Sequence, residues 1–205
     1  MLILGLTGSI GMGKSTAAAH LRACGLPVFD ADAEVHRLYA GGKVVERIER
    51  AFPGTTTQDG VDRVRLSAAL VAHPGRLREL EAIVHPMVRE AERSFLRTEA
   101  RRGAQIAVLE IPLLFETHAS KLVDAVIVVS APAEVQRERL LTRAGMSKEK
   151  LEGLLARQMP DAEKRARADF IVETGNGIEA SQADLDRIIA ELHTWAGEAY
   201  DREWA

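Results

Sequence analysis

The stretch LILGLTGSIGMGKSTAAAHL, residues 2–21, decides the fold. Within it Gly8, Gly13, Lys14 and Ser15 satisfy G-x-x-x-x-G-K-[S/T]. That pattern recurs by chance in about one chain in 150 of this length, so its flanks carry the weight. Leu2-Ile3-Leu4-Gly5-Leu6 is a short apolar run of the kind that forms a buried strand. Ala17-Ala18-Ala19-His20-Leu21 is rich in helix formers. Strand, glycine loop and helix is the frame in which this pattern, the P-loop, cradles phosphate.

The chemistry accounts for the residue types. Successive backbone N–H groups converge on an anion only if the chain takes unusual dihedrals and approaches closely. Gly8, Gly11 and Gly13 permit this because they lack a Cβ, and Ser9, Ile10 and Met12 complete the expected loop. A helix starting near Lys14 adds its positive dipole end. Lys14 is expected at the β- and γ-phosphates, and Ser15 at Mg²⁺, with Asp30 or Glu110 reaching the ion through water. Thr16 follows at the α-phosphate.

Length and composition bound the rest. The 205 residues suffice for one domain with insertions, and 46% hydrophobic content for a real core. The net charge of −3 gives no general case for nucleic acid or an anionic membrane as partner. Cys24 is the only cysteine, so no intramolecular disulfide exists, which fits the cytoplasm. Cys24 reads as a small buried hydrophobe near the end of the first helix. No run of 18 apolar residues spans a membrane, and the apolar N-terminus reads as a strand, not a signal peptide.

Further apolar runs end at Asp30, Glu110 and Ser130, and a weaker one covers Phe170-Ile171-Val172. Such runs, separated by helical segments, predict an α/β fold: a parallel sheet covered on both faces by helices. Ligands of open α/β sheets bind beyond the carboxyl ends of the strands. That rule gathers the loop after Leu6, Asp30 and Asp32, and Glu110 around one crevice. Helices are predicted near 33–39, 43–52, 64–72, 76–83, 86–102 and 178–199. The domain plan is a core of 1–30, 104–142 and 168–200, a helical acceptor-binding insertion over about 31–103, and a charged helical lid over about 143–167. The long insertion exceeds an ordinary crossover.

Absences narrow the class. The only asparagine, Asn176, precedes Gly177, so the Asn-Lys-x-Asp motif that reads guanine is missing, and no D-x-x-G occurs. A small-molecule kinase fits the size, the insertion and the arginine-bearing lid. Here a resemblance becomes specific. The chain resembles the dephospho-CoA kinases in GLTGSIGMGKST, in VFDAD (28–32), in Gly60, Asp62, Arg63 and Leu66, and in LEAIVHP (80–86). It resembles them again in PLLFE (112–116), in Gln136, Arg139, Leu140 and Arg143, and in Gln158 and Ala168-Asp169. The ordered set covers residues 1–175. Departures stand at Phe52-Pro53, Val71-Ala72 and Thr174-Gly175, the last beside the expected adenine site.

The resemblance implies transfer of the ATP γ-phosphoryl group to the ribose 3′-hydroxyl of dephospho-CoA. It makes ATP and dephospho-CoA the small-molecule partners, with Mg²⁺ and no obligate protein partner. Asp32 is the expected proton acceptor, with Asp30 able to exchange roles; otherwise Asp32 caps the helix that follows. Arg139 and Arg143, one turn apart, are expected to clamp the phosphates, against a reading in which they pair with Glu134 or Glu138. Arg63, His85, Leu113 and Glu116 are expected on the acceptor side. His85 could equally start a helix before Pro86, and Glu116 could make an ordinary salt bridge. Arg89, Arg93, Arg97 and Arg101 read as a solvated helix face. Two rivals stay open: a nucleoside or nucleoside-monophosphate kinase, and a nucleotide-dependent binding ATPase with no small acceptor.

Overall fold

Leu2, Leu4 and Leu6 alternate along the first strand with Ile3, Gly5 and Thr7, and all six are buried. A strand apolar on both faces belongs in the middle of a sheet covered on both sides, and that is where it lies. The computed structural model describes residues 1–156 and 158–205; Arg157, inside the expected lid, lies outside the described residues.

In chain order the elements begin β1 (Leu2–Thr7), α1 (Lys14–Ala23), β2 (Val28–Asp30), α2 (Ala31–Tyr39) and α3 (Lys43–Ala51). β3 (Thr56–Thr57), β4 (Gly60–Val61), α4 (Arg63–Ala72), α5 (Leu77–Arg101), β5 (Ile106–Glu110) and β6 (Ala125–Ser130) follow. α6 (Ala133–Leu141), α7 (Lys148–Leu155), α8 (Asp161–Arg165), β7 (Phe170–Glu173) and α9 (Ile178–Leu192) complete the series.

Contacts divide the chain into two compact units, Met1–Phe29 with Leu96–Ala205, and Asp30–Phe95. Residues 96–103 of the expected insertion therefore belong with the core.

The first unit is built on a five-stranded sheet in the order β2-β5-β1-β6-β7. β1 pairs in parallel with β5, Leu2 opposite Ile106, and with β6, Leu4 opposite Ala125. β6 pairs in parallel with β7. On one face Leu2, Leu4 and Leu6 pack with Val108, Ile127 and Val129 under Leu21 of α1 and Leu185, Ile188 and Leu192 of α9. On the other, a Cβ at Gly5 would stand 2.7 Å from Leu114 Cδ1, so glycine there admits the chain after β5.

The second unit has its own core of Leu38, Val44, Ile48, Phe52, Leu66, Leu80 and Val84. Asp62 caps α4 by accepting from Val64 N and Arg65 N at 3.0 Å each. The Arg76 guanidinium lies 4.4 Å over the Phe52 ring and bonds Ala51 O at 2.6 Å.

Four expectations change. The helices expected at 76–83 and 86–102 are one, α5, with Pro86 inside it. The apolar face through Leu80, Ile83, Val84, Met87 and Val88 is continuous across the proline. Pro86 and Ala82, whose carbonyl the ring disturbs, are both exposed, so water meets the freed group. A short hairpin, β3–β4, occupies the insertion where only helices were expected; the Asp59-Gly60 pair was its signal, and Glu49 braces it by accepting from Thr56 Oγ1 at 2.7 Å. The last helix stops at Leu192, not 199, because Gly197 passes against the Leu2 backbone with no room for a Cβ. Cys24, the C-cap of α1, is exposed rather than buried; Leu21 takes the core position.

Asp124 fastens that returning segment. Its Oδ2 accepts from Ile3 N, and its Oδ1 from Glu198 N and Ala199 N, each at 2.7 Å. Asp124→Ala should therefore lower the unfolding free energy by about 3 kcal/mol, with Asp124→Asn intermediate, read by urea unfolding at pH 7.

Glu92 of α5 is 5% exposed, and burial pushes its carboxyl up to about 7 despite the Arg89 charge beside it. The folded chain then keeps a proton that the unfolded chain loses near its ordinary value, so stability falls as pH rises from about 4.5 through about 7. Between pH 5 and 8 the wild type should lose up to about 3 kcal/mol that Glu92→Gln does not, measured as urea midpoints.

Candidate functional site

The loop between β1 and α1 runs along β6. A Cβ at Gly8 would sit 2.5 Å from Val129 Cγ2 and 2.7 Å from Val129 O, so only glycine lets the chain through. Gly13 has φ 89° and is the N-cap of α1 without a side-chain cap, which leaves the first N–H groups of that helix to an anion.

Side chains from other segments hold the loop's outward groups. Gln136 Nε2 donates to Ile10 O at 2.7 Å, and Ile10 N donates to Gln158 Oε1 at 3.0 Å. Thr174 Oγ1 donates to Met12 O at 2.8 Å, and Met12 N to Ser9 O at 3.1 Å. Arg139 Nη1 reaches Gly11 O at 3.5 Å. Ile10 and Met12 thus spend their N–H groups as anchors. The N–H groups of Gly11, Gly13 and the first turn of α1 remain for a ligand.

Lys14 Nζ sits 2.8 Å from Glu110 Oε1, where β5 ends. Arg22 Nη2 stands 3.5 Å from the other Glu110 oxygen. Glu110 is 2% exposed, so a buried carboxylate is compensated by two cations. Ser15 and Thr16 are exposed in the first turn of α1. The Ser15 hydroxyl and the Glu110 carboxylate are hard oxygen donors of the kind Mg²⁺ takes.

Beside the loop lies a cavity of about 290 Å³, lined by Gly13, Thr16, Arg139, Arg143, Thr174 and Gln182 among others. Arg139 and Arg143 share this cavity as their spacing predicts. Neither pairs with Glu134 or Glu138 among the described residues. Arg139 is instead anchored on Thr174, Nη2 to its carbonyl at 2.6 Å and Nη1 to its hydroxyl at 3.1 Å. Arg137 points away and meets Glu152 at 3.6 Å.

Glu116 makes the salt bridge that was one of its two readings. Its Oε1 accepts from Lys164 Nζ and from Met159 N, both at 2.9 Å. Burial works to raise its pKa, but those bonds outweigh it and hold the carboxylate below its usual range. Lys164 is fully buried and also donates to Pro112 O at 3.2 Å. Leu113 is 40% exposed.

Asp30, Asp32, Arg63 and His85 belong to the second unit. Asp30, not Asp32, caps α2, its Oδ1 accepting from Ala33 N at 2.9 Å. Asp32 is exposed in the first turn, with no hydrogen bond or ion pair among the described residues. Arg63 is exposed at the start of α4. His85 is exposed inside α5 and starts no helix. Of the arginine stripe, Arg97 and Arg101 are exposed, whereas Arg89 and Arg93 are half-buried and meet Glu92 and Glu90 at 3.3 and 3.7 Å.

Sequence reasoning missed the anchoring roles of Thr174, Gln136 and Gln158. The glutamines were visible as motif positions, without a partner to explain them. Lys164, in a charged segment, gave no sign of burial.

The sequence profile of the dephospho-CoA kinase family matches residues 2–180. A dephospho-CoA kinase of Mesorhizobium japonicum is 52% identical over 197 residues, 96% of this chain and 100% of that protein. One of Rhodopseudomonas palustris is 54% identical over 189 residues, 92% and 94% of the two chains. A Thermus thermophilus crystal structure superposes with a TM-score of 0.80 at 39% identity, over 93% of this chain and 97% of that one. The dephospho-CoA kinase of Campylobacter jejuni does so with 0.69 at 26% identity, over 93% and 96%.

Thr174→Val keeps the shape and removes the hydroxyl that holds Met12 O and meets Arg139. Calorimetric titration with MgATP should show affinity reduced by roughly tenfold, the worth of one lost anchor.

Proposed function

Because the chain belongs to the dephospho-CoA kinase family, we propose that it transfers the γ-phosphoryl group of ATP to the ribose 3′-hydroxyl of dephospho-CoA. The products are ADP and coenzyme A, at the last step of coenzyme A synthesis. The observation that carries this reading is the anchored loop 8–15, with Lys14 and the uncapped α1 N-terminus at its phosphate end.

The ribose oxygen attacks the γ-phosphorus in line, its proton passes to Asp32, and the bond to the β–γ bridging oxygen breaks. The commitment of Asp30 to Ala33 N supports giving the proton to Asp32. Lys14, Arg139 and Arg143 stabilise the charge that moves to the leaving oxygen. Mg²⁺ would be held by the Ser15 hydroxyl, with Glu110 or Asp30 reaching it through water; when bound it neutralises phosphate charge. Arg63, His85, Leu113 and Glu116 serve the acceptor, Glu116 by shaping the loop it braces. The insertion, residues 31–95 once 96–103 are given to the core, binds the acceptor. Residues 143–167 act as a lid that excludes water and so limits hydrolysis.

No described helix is long and apolar enough to cross a membrane. The chain is assigned to the cytoplasm, acting on two small molecules without nucleic acid, membrane or obligate protein partner.

A coupled ADP-release assay with MgATP tests the reading, using dephospho-CoA, AMP, CMP and adenosine in parallel. Dephospho-CoA alone should give turnover, Lys14→Ala should abolish it, and Asp32→Asn should lower kcat by roughly 10²- to 10⁴-fold. Turnover on a nucleotide but not on dephospho-CoA would move the acceptor assignment to a nucleotide kinase. Hydrolysis indifferent to every acceptor would favour a binding ATPase.

A further inference from the structure

The end of α1 and the middle of α9 bring three metal-ligand types together outside the nucleotide cavity. His20 and Cys24 are four residues apart, so their side chains share one side of the helix. Asp186 of α9 meets them there. His20 Nε2 lies 2.7 Å from Asp186 Oδ1 and 3.5 Å from Cys24 Sγ, and that sulfur lies 3.6 Å from the same Oδ1. Among the described residues this is the one group of three His, Cys or acidic side chains with ligand atoms so close together.

We propose that His20 Nε2, Cys24 Sγ and Asp186 Oδ1 bind a divalent transition-metal ion of the zinc class. A tetrahedral zinc centre with ordinary bond lengths sets its ligand atoms about 3.6 Å apart for sulfur–nitrogen and sulfur–oxygen, and about 3.4 Å for nitrogen–oxygen. The two sulfur edges already have that length. The His20–Asp186 edge is shorter because a hydrogen bond spans it, and it opens by about 0.7 Å when an ion replaces the shared proton. The thiol proton leaves to solvent as the sulfur–metal bond forms and the His20 Nε2 proton passes through solvent to Nδ1, so no redox partner is needed.

Without an ion the Cys24 thiol points at Asp186 Oδ1, 3.6 Å away, and His20 Nε2 meets the same oxygen, so all three ligand atoms already converge on one point. A soft sulfur ligand selects against Mg²⁺, so the site does not compete for the ion that accompanies ATP. Cys24 and Asp186 are exposed, which gives the ion an entry path and leaves the fourth position to water. Bound there, the ion ties α1, which leaves the phosphate loop, to α9, which lines the cavity through Gln182 and Leu185.

Nucleotide-free wild type, Cys24→Ser and Asp186→Asn are titrated with Co²⁺ and then Zn²⁺. The wild type should take up one equivalent of Co²⁺, show thiolate charge-transfer and tetrahedral ligand-field bands, and lose them to Zn²⁺. Cys24→Ser should lack the thiolate band, and both variants should bind roughly tenfold or more weakly. The rise in Tm in excess Zn²⁺ should vanish in both. Absence of the bands in the wild type, or equal affinity and equal Tm shift in the variants, would overturn the assignment. Unchanged circular dichroism and unchanged turnover with MgATP show that the variants are folded.

Discussion

A phosphate loop works only if its N–H groups converge on the ligand, and that forces its carbonyls outward, where each needs a donor of its own. In this chain the donors arrive from far along the sequence. Gln136 takes Ile10 O, Thr174 takes Met12 O, and Arg139 reaches Gly11 O, while Gln158 fixes the Ile10 N–H. The loop's shape is therefore a tertiary product, although its glycines are local. The sheet order follows from the same need: β1 at the centre, flanked by β6 and then β7, carries the loop to where α6 and the end of β7 can reach it.

Much of this was legible in the chain. Five strands and their carboxyl-end residues were readable from continuous apolar runs, because a buried parallel strand leaves no polar alternation to confuse. The loop was readable from residue types that no other chemistry requires. The misreadings share a cause: a local signal overruled by packing. Pro86 signals a helix start, yet a continuous apolar face carries α5 through it. Cys24 signals burial by type, yet its position at the end of α1 exposes it. Lys164 signals solvent, yet Glu116 and Pro112 O hold it inside. Long-range partners of this sort have no signature in spacing.

The pair Asp30 and Asp32 shows how two neighbouring carboxylates meet different surroundings. The first carboxylate ends β2 and closes the first turn of α2 on itself. The second, two residues on, stands exposed on the fixed first turn, with no hydrogen bond or ion pair among the described residues. A flexible loop would leave both carboxylates free, and would hold neither in a defined direction. Helix capping here is the means by which the neighbouring group is presented.

The pairing of β1 also governs when the protein can come into being. Its two neighbours begin at Ile106 and Ala125, and the last of the loop's anchors, Thr174, lies further still. During synthesis at about 5–20 residues per second, the apolar segment at the N-terminus leaves the ribosome many seconds before either partner strand exists. The nascent chain must spend that interval shielded, by transient collapse or by a chaperone. Nucleotide affinity arrives late and abruptly, once the segment carrying Thr174 has emerged to close the loop.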